Sequence, residues 1–416
     1  MRILGIETSC DESAVCLIDA QGNFGGDFQF QVLGNSLISQ IAIHAEYGGV
    51  FPNLAKREHA RNLVPLLEQT LRQASNLCQG DALTNALTKT TTEELRILLS
   101  REPELYEHLI AFLQRNVRPE IDAIAVTVGP GLEPALWVGI NFARALALVW
   151  SIPVVAVNHM EGHIVVSLMR YDDNSQFAIR NLQKGSIQEI QFPILSLLIS
   201  GGHTELVLSV KWHDYKILGA TRDDAVGEAF DKVARLLGLP YPGGAELSRL
   251  AKKARACSGA CSEATPHCIK LPRPMLHDDS LDFSFAGLKT AVRRLIESKG
   301  PTFGDSSRSD LDGFKMQIAR EFEDAVTDVL VAKTMKAVGE YGIQTVLVGG
   351  GVSANSHIRA QLATKLSSVD CKLLTPPVEL ATDNALMIAL AGYFRAQNRE
   401  FVTPDMLKAE GNLKLK

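Results

Sequence analysis

Short apolar runs joined by polar turns recur along this chain and predict β-hairpins. Residues 3–6 and 14–18 are apolar and flank a polar turn at residues 7–13. A second pair of apolar runs, residues 194–199 and 206–210, flanks a turn of similar polarity about half a chain later. Two similar hairpins at this spacing predict a duplicated fold with a cleft between its two halves.

Longer segments between these hairpins have the apolar spacing of buried strands and amphipathic helices. We predict strands at residues 121–128, 152–157 and 345–348, and helices at residues 59–71, 93–116, 137–149, 224–237, 314–338 and 383–394. Gly238 is predicted to end the fourth of these helices, and Thr382 to cap the last one. Alternating strands and helices indicate an α/β protein.

The length of 416 residues allows two domains of ordinary size or one doubled fold. Two polar segments interrupt the regular pattern, and we interpret them as surface insertions without chemistry of their own. We therefore predict a first half at residues 1–155, with an insertion at about 75–119. The predicted second half, residues 156–394, has an insertion at about 170–191 and a helical subdomain at about 221–340. Residues 395–416 are predicted to form a C-terminal tail.

Composition and charge narrow the functional class. Apolar residues make up 46% and charged residues 21% of the chain, which is a normal globular balance. The net charge of -5 predicts no general attraction for nucleic acid, so an RNA partner would need a local basic patch. The short basic clusters in the sequence are more typical of solvated helix faces and do not by themselves indicate RNA.

The N-terminus and the cysteines favour a cytoplasmic protein. The first residues lack the apolar region of a signal peptide and soon reach Asp11 and Glu12. The most apolar region, residues 121–157, is interrupted by Glu133 and Arg144, so we expect no membrane span. Seven cysteines without a secretory context favour reduced thiols in the cytoplasm.

His159 and His163 carry the most specific chemical signal in the chain. Residues i and i+4 of a helix share a face, so both imidazoles can reach one cation. Two imidazoles favour zinc, iron or a similar metal over magnesium or calcium, and Asp383 is a candidate third ligand. Glu161 does not have the position that the H-E-x-x-H motif of zinc proteases requires. Two histidines packed in a core are the alternative interpretation.

Three glycine-rich turns favour a nucleotide site. Gly201-Gly202, Gly243-Gly244 and the triplet at residues 349–351 each adjoin a predicted strand or helix end. Glycine lets backbone N–H groups approach a phosphate or a base without a clashing Cβ. None of the three matches a P-loop or a complete G-x-G-x-x-G motif, and each taken alone is equally typical of a tight turn.

Carboxylates near the turns are further candidates. Asp11 and Glu12, at the tip of the first hairpin, are candidates for holding a metal, a base or an amine. Asp231, on the predicted helix at residues 224–237, is a candidate partner of a ribose hydroxyl. Carboxylates at such places are commonly solvated or cap a helix, and this alternative stays open.

Cys257, Cys261, His267 and Cys268 form a compact group of metal-binding residue types. Their spacing matches no common zinc site, and the adjacent His267 and Cys268 do not easily bind one ion together. We interpret the group as part of a loop rather than as a structural metal site.

Taken together, these motifs lie within a longer series at residues 5–13, 44–52, 57–59, 129–132, 158–163, 199–204, 223–238, 282–290, 349–355 and 381–385. In content and order the series resembles one family, the universal tRNA adenosine threonylcarbamoyltransferases, formerly labelled O-sialoglycoprotein endopeptidases. The resemblance extends from the first residues to about residue 393, outside the insertions. It implies a pair of actin-like (ribonuclease-H-like) halves.

The resemblance also implies a site and a reaction. The metal ligands would be His159, His163 and Asp383, with Fe²⁺ expected and Zn²⁺ as the alternative. The reaction would transfer a threonylcarbamoyl group from threonylcarbamoyl-AMP to N6 of adenosine 37 in tRNAs that read ANN codons. Implied partners are a shorter non-catalytic paralogue and a small P-loop ATPase. The residues implied for the adenylate are Leu198, Ile199, Ser200, Gly201, Gly202, Asp231, Gly244 and Asn355.

Some assignments stay open within this resemblance. Asp11 or Glu12 is the candidate proton acceptor. Ser248 stands where some family members have aspartate, so a carboxylate contact at that position is in doubt. An ATP-dependent kinase of the same actin-like superfamily, and a scaffold subunit like the family's inactive paralogue, are the alternatives. Neither of them requires the histidine pair.

Overall fold

The computed structural model describes residues 1–74, 87–170, 184–257, 269–299 and 308–416. Parts of both predicted insertions lie outside these ranges. Of the cysteine-rich group, Cys257 is described and exposed, whereas Cys261, His267 and Cys268 lie outside the described residues.

The chain divides into two compact units. Unit 1 comprises Met1–Ile190 and Pro376–Leu415, and unit 2 comprises Gln191–Thr375 together with Lys416. These bounds differ from the sequence-based division at residue 155. The reason is that the strands and the helix between residues 154 and 187, and the helix at Ala385–Gln397, pair with or pack on elements of the N-terminal sheet.

Unit 1 is built on a mixed sheet. Its described strands are β1 (Arg2–Glu7), β2 (Glu12–Gln21), β3 (Gln29–Ser39), β4 (Ala123–Gly129), β5 (Val154–Asn158), β6 (Met169–Arg170) and β7 (Gly185–Ile187). Their order is β5-β4-β1-β2-β3-β7-β6. β1, β2 and β3 form an antiparallel meander, β4 runs parallel to β1, and β5 runs parallel to β4. The first predicted hairpin is therefore confirmed.

Unit 2 repeats this plan. Its described strands are β8 (Ile194–Ile199), β9 (Thr204–Lys211), β10 (Asp214–Ala220), β11 (Thr345–Gly349) and β12 (Lys372–Leu374), in the order β10-β9-β8-β11-β12. β8, β9 and β10 form an antiparallel meander, and β11 and β12 run parallel to β8. Because β1 to β5 of unit 1 and the five strands of unit 2 share one order and one pattern of orientations, the predicted duplicated α/β fold with ribonuclease-H-like halves is confirmed.

Helices connect and cover the two sheets. They are α1 (Ile41–Ala45), α2 (Pro52–Gln73), α3 (Lys89–Leu98), α4 (Pro103–Arg115), α5 (Glu133–Trp150), α6 (His159–Ser167), α7 (Val226–Leu236), α8 (Gly243–Ala256), α9 (Ala286–Lys299), α10 (Arg308–Tyr341), α11 (Ser356–Ser367), α12 (Val378–Ala381) and α13 (Ala385–Gln397). Short 3₁₀ helices lie at Gly351–Ala354 and Pro404–Met406. Within the described ranges, no helix combines the length and the apolar character needed to cross a membrane.

Two helix predictions were wrong. The single helix predicted at residues 93–116 is two helices, α3 and α4. Pro103 lacks an N–H and its ring clashes with a preceding turn, so it begins a helix rather than continuing one. The predicted cap of the last helix, Thr382, is replaced by Asn384, whose side-chain oxygen accepts a hydrogen bond from the Met387 N–H at 3.0 Å. Thr382 lies too early because it ends the short α12.

Each unit has its own apolar core. In unit 1, β1 is buried almost throughout, which explains its continuous apolar run. Helix α13 lies close against this strand at Gly5, where an added Cβ would stand 2.4 Å from the carbonyl oxygen of Ala385. This close packing places the residues just before α13 beside the carboxyl ends of β1 and β5.

Candidate functional site

The start of α6 positions both histidines. β5 ends at Asn158, whose side-chain oxygen caps the helix by accepting a hydrogen bond from the Met160 N–H at 2.9 Å. His159 and His163 therefore lie one turn apart on the same helix face, as the sequence predicts. Both side chains are buried.

The structure brings Asp383 to the two histidines. Its Oδ1 lies 3.4 Å from His159 Nε2 and 3.3 Å from His163 Nε2. One candidate ligand atom from each of the three residues lies within 4.8 Å of the other two. All three residues belong to unit 1. The arrangement is compact enough for one ion to contact two nitrogens and one carboxylate oxygen.

The hydrogen bonding of His163 shows whether these three residues are suited to binding a metal ion. Within the part of the chain that the structure describes, neither ring nitrogen of this fully buried side chain has a hydrogen-bond partner. Its Nε2 is close to Asp383 but lacks hydrogen-bond geometry. Burying an unpaired polar atom is costly, and an ion between nitrogen and carboxylate would remove that cost. Two nitrogens and one oxygen suit iron or zinc.

The surroundings act in opposite directions on the pKa values of the two histidines. Burial lowers the pKa of His159, but the carboxylates of Asp383 and Glu7 outweigh burial and raise that pKa well above its usual value. Burial likewise would raise the pKa of Asp383, yet the two imidazoles hold it well below its usual range. For His163, burial dominates and lowers the pKa.

Of the two candidate proton acceptors, Asp11 ends the loop between β1 and β2 and Glu12 is the first residue of β2, and both are buried. The backbone carbonyl of Asp11 accepts a hydrogen bond from the Gln40 N–H at 2.8 Å, and Ser39 Oγ donates to Glu12 Oε1 at 3.3 Å. Burial raises the pKa of Glu12 to about 10, and Asp383 and Asp11 add to this effect. Glu12 therefore keeps its proton near neutral pH unless positive charge stands close to it.

In unit 2, the predicted glycine turn joins β8 to β9. The Ser200 N–H donates to the carbonyl of His203 at 2.8 Å, and Ser200 Oγ accepts from the N–H groups of Gly202 and His203 at 3.3 and 3.1 Å. A Cβ added at Gly201 or Gly202 would meet no described atom within 4 Å. The turn is thus well formed, and its glycine backbone faces open space. The two remaining residues of this predicted group, Leu198 and Ile199, end β8 and are buried.

Gly350 brings the end of β11 against this turn. Its φ of +89° is one that side chains rarely adopt, and an added Cβ would lie 2.5 Å from the Ile199 carbonyl oxygen. Two of the three predicted glycine-rich segments therefore lie side by side.

Asp231 and the third glycine segment also meet. Asp231 Oδ1 accepts hydrogen bonds from the N–H groups of Gly243 and Gly244 at 2.8 and 3.2 Å. These glycines are the first residues of α8. Oδ1 of Asp231, the residue predicted to bind a ribose hydroxyl, therefore already accepts hydrogen bonds at a helix N-terminus.

Asn355 is held by unit 2 itself. Its Oδ1 caps α11 by accepting from the N–H groups of His357 and Ile358. Its Nδ2 donates to Ser248 Oγ at 2.9 Å and to Glu323 Oε1 at 2.7 Å. All the hydrogen-bonding groups of the Asn355 side chain are therefore used. Ser248, which stands where some members of the resembled family have aspartate, contacts Asn355 directly.

Sequence reasoning missed two buried carboxylates. Glu323, on α10, holds Asn355 and forms an ion pair with Arg255 at 2.5 Å. Glu7 closes β1 and lies 3.2 Å from His159 Nδ1. In the sequence, Glu7 is recognisable only as a carboxylate at the end of an apolar strand, directly before the polar loop.

The fold and the cluster together define a class of protein, a duplicated ribonuclease-H-like α/β protein with a buried His, His, Asp group. The profile of one family, described as tRNA N6-adenosine threonylcarbamoyltransferase, matches residues 31–81 and 104–390. Proteins of that name are 39% identical to this chain in Chromobacterium violaceum (96% of this chain, 94% of the relative) and 41% identical in Polynucleobacter asymbioticus (95% and 92%).

This chain belongs to the tRNA N6-adenosine threonylcarbamoyltransferase family, and it is therefore a transferase. Among solved structures it is similar to component A of (R)-2-hydroxyglutaryl-CoA dehydratase from Acidaminococcus fermentans. That likeness has a TM-score of 0.44 at 13% identity and covers 96% of this chain and 99% of the other.

Proposed function

We propose that this protein transfers the threonylcarbamoyl group of threonylcarbamoyl-AMP to N6 of adenosine 37 in tRNAs that read ANN codons. Family membership supports the reaction class. The observation that carries the proposal is the cluster of His159, His163 and Asp383, with three ligand atoms within 4.8 Å of one another in a chain of this family.

These three residues are proposed to hold one divalent ion, Fe²⁺, with Zn²⁺ as the alternative. Support comes from the unpaired buried nitrogens of His163 and from the donor set. When bound, such an ion supplies Lewis-acid stabilisation of negative charge on a carbonyl oxygen.

The chain's other residues hold the donor and move a proton. The open glycine backbone at Gly201 and Gly202 is proposed to approach the AMP portion, beside Leu198, Ile199 and Gly350. The N–H groups of Ser200 and Gly202 would contribute only if freed from their hydrogen bonds within the turn. We propose the same role for Asp231, Gly244 and Asn355. Their contacts would be made by backbone groups or by side-chain groups freed from their present hydrogen bonds. Because an exocyclic adenine amine is a poor nucleophile, this positioning contributes heavily to the rate.

In the proposed reaction, a bond forms between N6 and the carbonyl carbon, and the bond from that carbon to the phosphate oxygen breaks. AMP leaves with the electron pair of the broken bond. One N6 proton passes to an acceptor, for which Asp11 and Glu12 are the candidates. Glu12 qualifies when positive charge nearby lowers its raised pKa.

We further propose that the protein works in the cytoplasm with a shorter non-catalytic paralogue and a small P-loop ATPase. The basis is the family to which the chain belongs.

Nucleoside mass spectrometry tests the reaction. An ANN-decoding tRNA transcript is incubated with threonylcarbamoyl-AMP, the partner proteins and either wild type, His159→Ala or His108→Ala. His108 is an exposed histidine on α4 and serves as the matched control. Threonylcarbamoyladenosine from wild type and the control, with at least a hundredfold less from His159→Ala, is the expected result.

Equal product from all three proteins would keep the reaction and discard the role of the metal cluster. No product from a metal-loaded wild type, under conditions in which the same partners support another family member, would overturn the proposed reaction. It would also return the kinase and scaffold alternatives to consideration.

A further inference from the structure

Glu7 is a fully buried carboxylate that the proposed chemistry does not use. Its Oε1 accepts a hydrogen bond from the Ser9 N–H, and its Oε2 accepts one from Thr127 Oγ1 at 2.6 Å. The same Oε2 lies 3.2 Å from His159 Nδ1. One side chain thus contacts a candidate metal ligand, a neighbouring strand and the loop that begins after β1.

This contact decides which nitrogen of His159 carries the hydrogen. His159 Nδ1 faces Glu7 Oε2 and Ser9 Oγ, each at 3.2 Å. An ionised carboxylate can only accept, so a hydrogen bond to Glu7 requires the hydrogen on Nδ1. With an ion bound in place of the second proton, the ring would keep its lone pair on Nε2, the nitrogen that faces Asp383.

We propose that Glu7 is the positioning residue of the metal cluster: it fixes the tautomer and the ring orientation of His159 so that Nε2 is ready to bind the ion. This inference rests on the metal site assigned under the proposed function. Metal-binding histidines generally donate their second N–H to a carboxylate or a carbonyl, which orients the ring and increases its basicity.

Glu7 also connects the ring to the loop of the candidate proton acceptors. Its Oε1 holds the Ser9 N–H, while the Ser9 carbonyl accepts from the Leu132 N–H at 2.8 Å. Ser9 is thereby fixed from two sides, two residues before Asp11. A change at Glu7 therefore reaches both the ligand and the loop.

The partner histidine lacks such support. Among the described residues, His163 Nδ1 has no hydrogen-bond partner, so no hydrogen bond at that nitrogen orients the ring. The carboxylate that α6 itself carries, Glu161, is bound by Arg395 at 2.7 Å. The orienting role thus falls on Glu7.

Competition between the purified protein and a chromophoric chelator for Zn²⁺, and for Co²⁺ as a spectroscopic probe, tests the inference without tRNA or adenylate. Glu7→Gln keeps the size of the side chain but places an amide NH₂ where one carboxylate oxygen now accepts. We expect roughly 10–100-fold weaker binding and a changed Co²⁺ visible spectrum.

Glu102→Gln is the matched control. Glu102 is also a buried carboxylate of unit 1, but it contacts Lys56 at 3.1 Å rather than the cluster. We expect its metal affinity to stay within about threefold of wild type, in line with the small effects of changes away from a metal's outer shell. If Glu7→Gln fails to fold, Thr127→Val removes one hydrogen bond to Glu7 and should weaken binding severalfold.

Wild-type affinity in folded Glu7→Gln, or an equal loss in Glu102→Gln, would overturn the positioning role. A wild type whose Zn²⁺ affinity is unchanged by His159→Ala would instead refute the metal site itself, and this inference with it. Because the readout is ion binding, a failure of the proposed transfer reaction alone leaves this result standing.

Discussion

Among single residues, His59 illustrates how burial fixes a protonation state outside the group of His159, His163 and Asp383. Its Nδ1 lies 2.7 Å from Ser13 Oγ, and its Nε2 lies 3.0 Å from the Cys10 carbonyl. Burial lowers the pKa of His59 to about 4, so the ring is neutral at neutral pH. It then supports the loop after β1 by donating from Nε2 and accepting at Nδ1.

His59 makes stability depend on pH. Its pKa is near 6.5 when unfolded and about 4 when folded, so between these values the unfolded chain binds a proton that the folded chain rejects. This contribution is complete above pH 6.5 and is lost as the pH falls towards 4, by up to about 3 kcal/mol. Urea denaturation from pH 4 to 7.5 measures it.

His59→Gln is the comparison for that experiment, because its amide can still donate to the Cys10 carbonyl. The free energy of unfolding of the wild type should decline more steeply below pH 6.5 than that of the variant. Parallel profiles would contradict the assignment to His59.

Single residues also show what the sequence could and could not predict about the site. The spacing of His159 and His163 indicates a shared helix face, and the structure has it. The role inferred for Glu7 could not be predicted from the sequence, because Glu7 is separated from its partners Thr127 and His159 by 120 and 152 residues along the chain. Such contacts depend on which strands become neighbours, and local patterns do not contain that information.

At the scale of elements, the cluster depends on how α6 and α13 are held together. Arg395 of α13 binds the fully buried Glu161 of α6 through Nε at 2.7 Å and Nη2 at 2.6 Å. At Gly162 an added Cβ would lie 3.0 Å from Met387, so the two helices approach closely. One of these helices carries the histidines, and the other follows Asp383.

Breaking the Glu161–Arg395 pair should destabilise the fold. Arg395→Met removes the arginine from a buried ion pair and should lower the free energy of unfolding by about 3–5 kcal/mol. The double variant Glu161→Gln, Arg395→Met removes both charges and should recover most of the loss. Guanidinium denaturation of the four proteins in the cycle measures this, and equal losses in the single and double variants would show that the buried charge is not the cause.

Gly5 sets the distance between α13 and β1. Gly5→Ala places a Cβ 2.4 Å from the Ala385 carbonyl oxygen, so the helix start must move. Overpacking of this kind costs about 1–3 kcal/mol, and the shift should also weaken metal binding because Asp383 lies two residues before the helix.

Gly26→Ala is the control for Gly5→Ala, since a Cβ there meets its nearest described atom only at 3.7 Å. Denaturation and chelator competition apply to both variants. An unchanged metal affinity in a destabilised Gly5→Ala would separate the helix contact from the cluster.

The elements that the sequence predicted well are the ones buried on both sides. β1, β8 and β11 are continuous apolar runs in the middle of their sheets, and all three were predicted. β3 was missed because its outer residues are polar and its burial is irregular. The break between α3 and α4 was missed because apolar spacing continues across Pro103.

At the scale of the whole molecule, the chain leaves unit 1 after Ile190, builds all of unit 2 and returns at Pro376. Each unit has its own sheet and its own core. The doubling was predictable from two similar hairpins. The bounds were not, because the return of the chain to the first sheet is a tertiary event.

Unit 2 should therefore fold alone. We expect residues 191–375, expressed separately, to unfold cooperatively, as detected by circular dichroism during urea titration.

Unit 1, made by joining residues 1–190 to 376–416 with a flexible glycine-serine linker, should bind Zn²⁺ within about tenfold of the full chain, because all three proposed ligands are in it. A gradual, non-cooperative transition would show that a unit depends on the rest of the chain.

The interrupted course of unit 1 has a consequence for biosynthesis. Ribosomes make the two histidines first, and Asp383 only after the whole of unit 2 has been translated. A nascent chain therefore presents an incomplete ligand set for most of its synthesis, and a prematurely terminated product never acquires the third ligand. Under the proposed metal site, the complete set of three ligands is accordingly available only in nearly finished polypeptides.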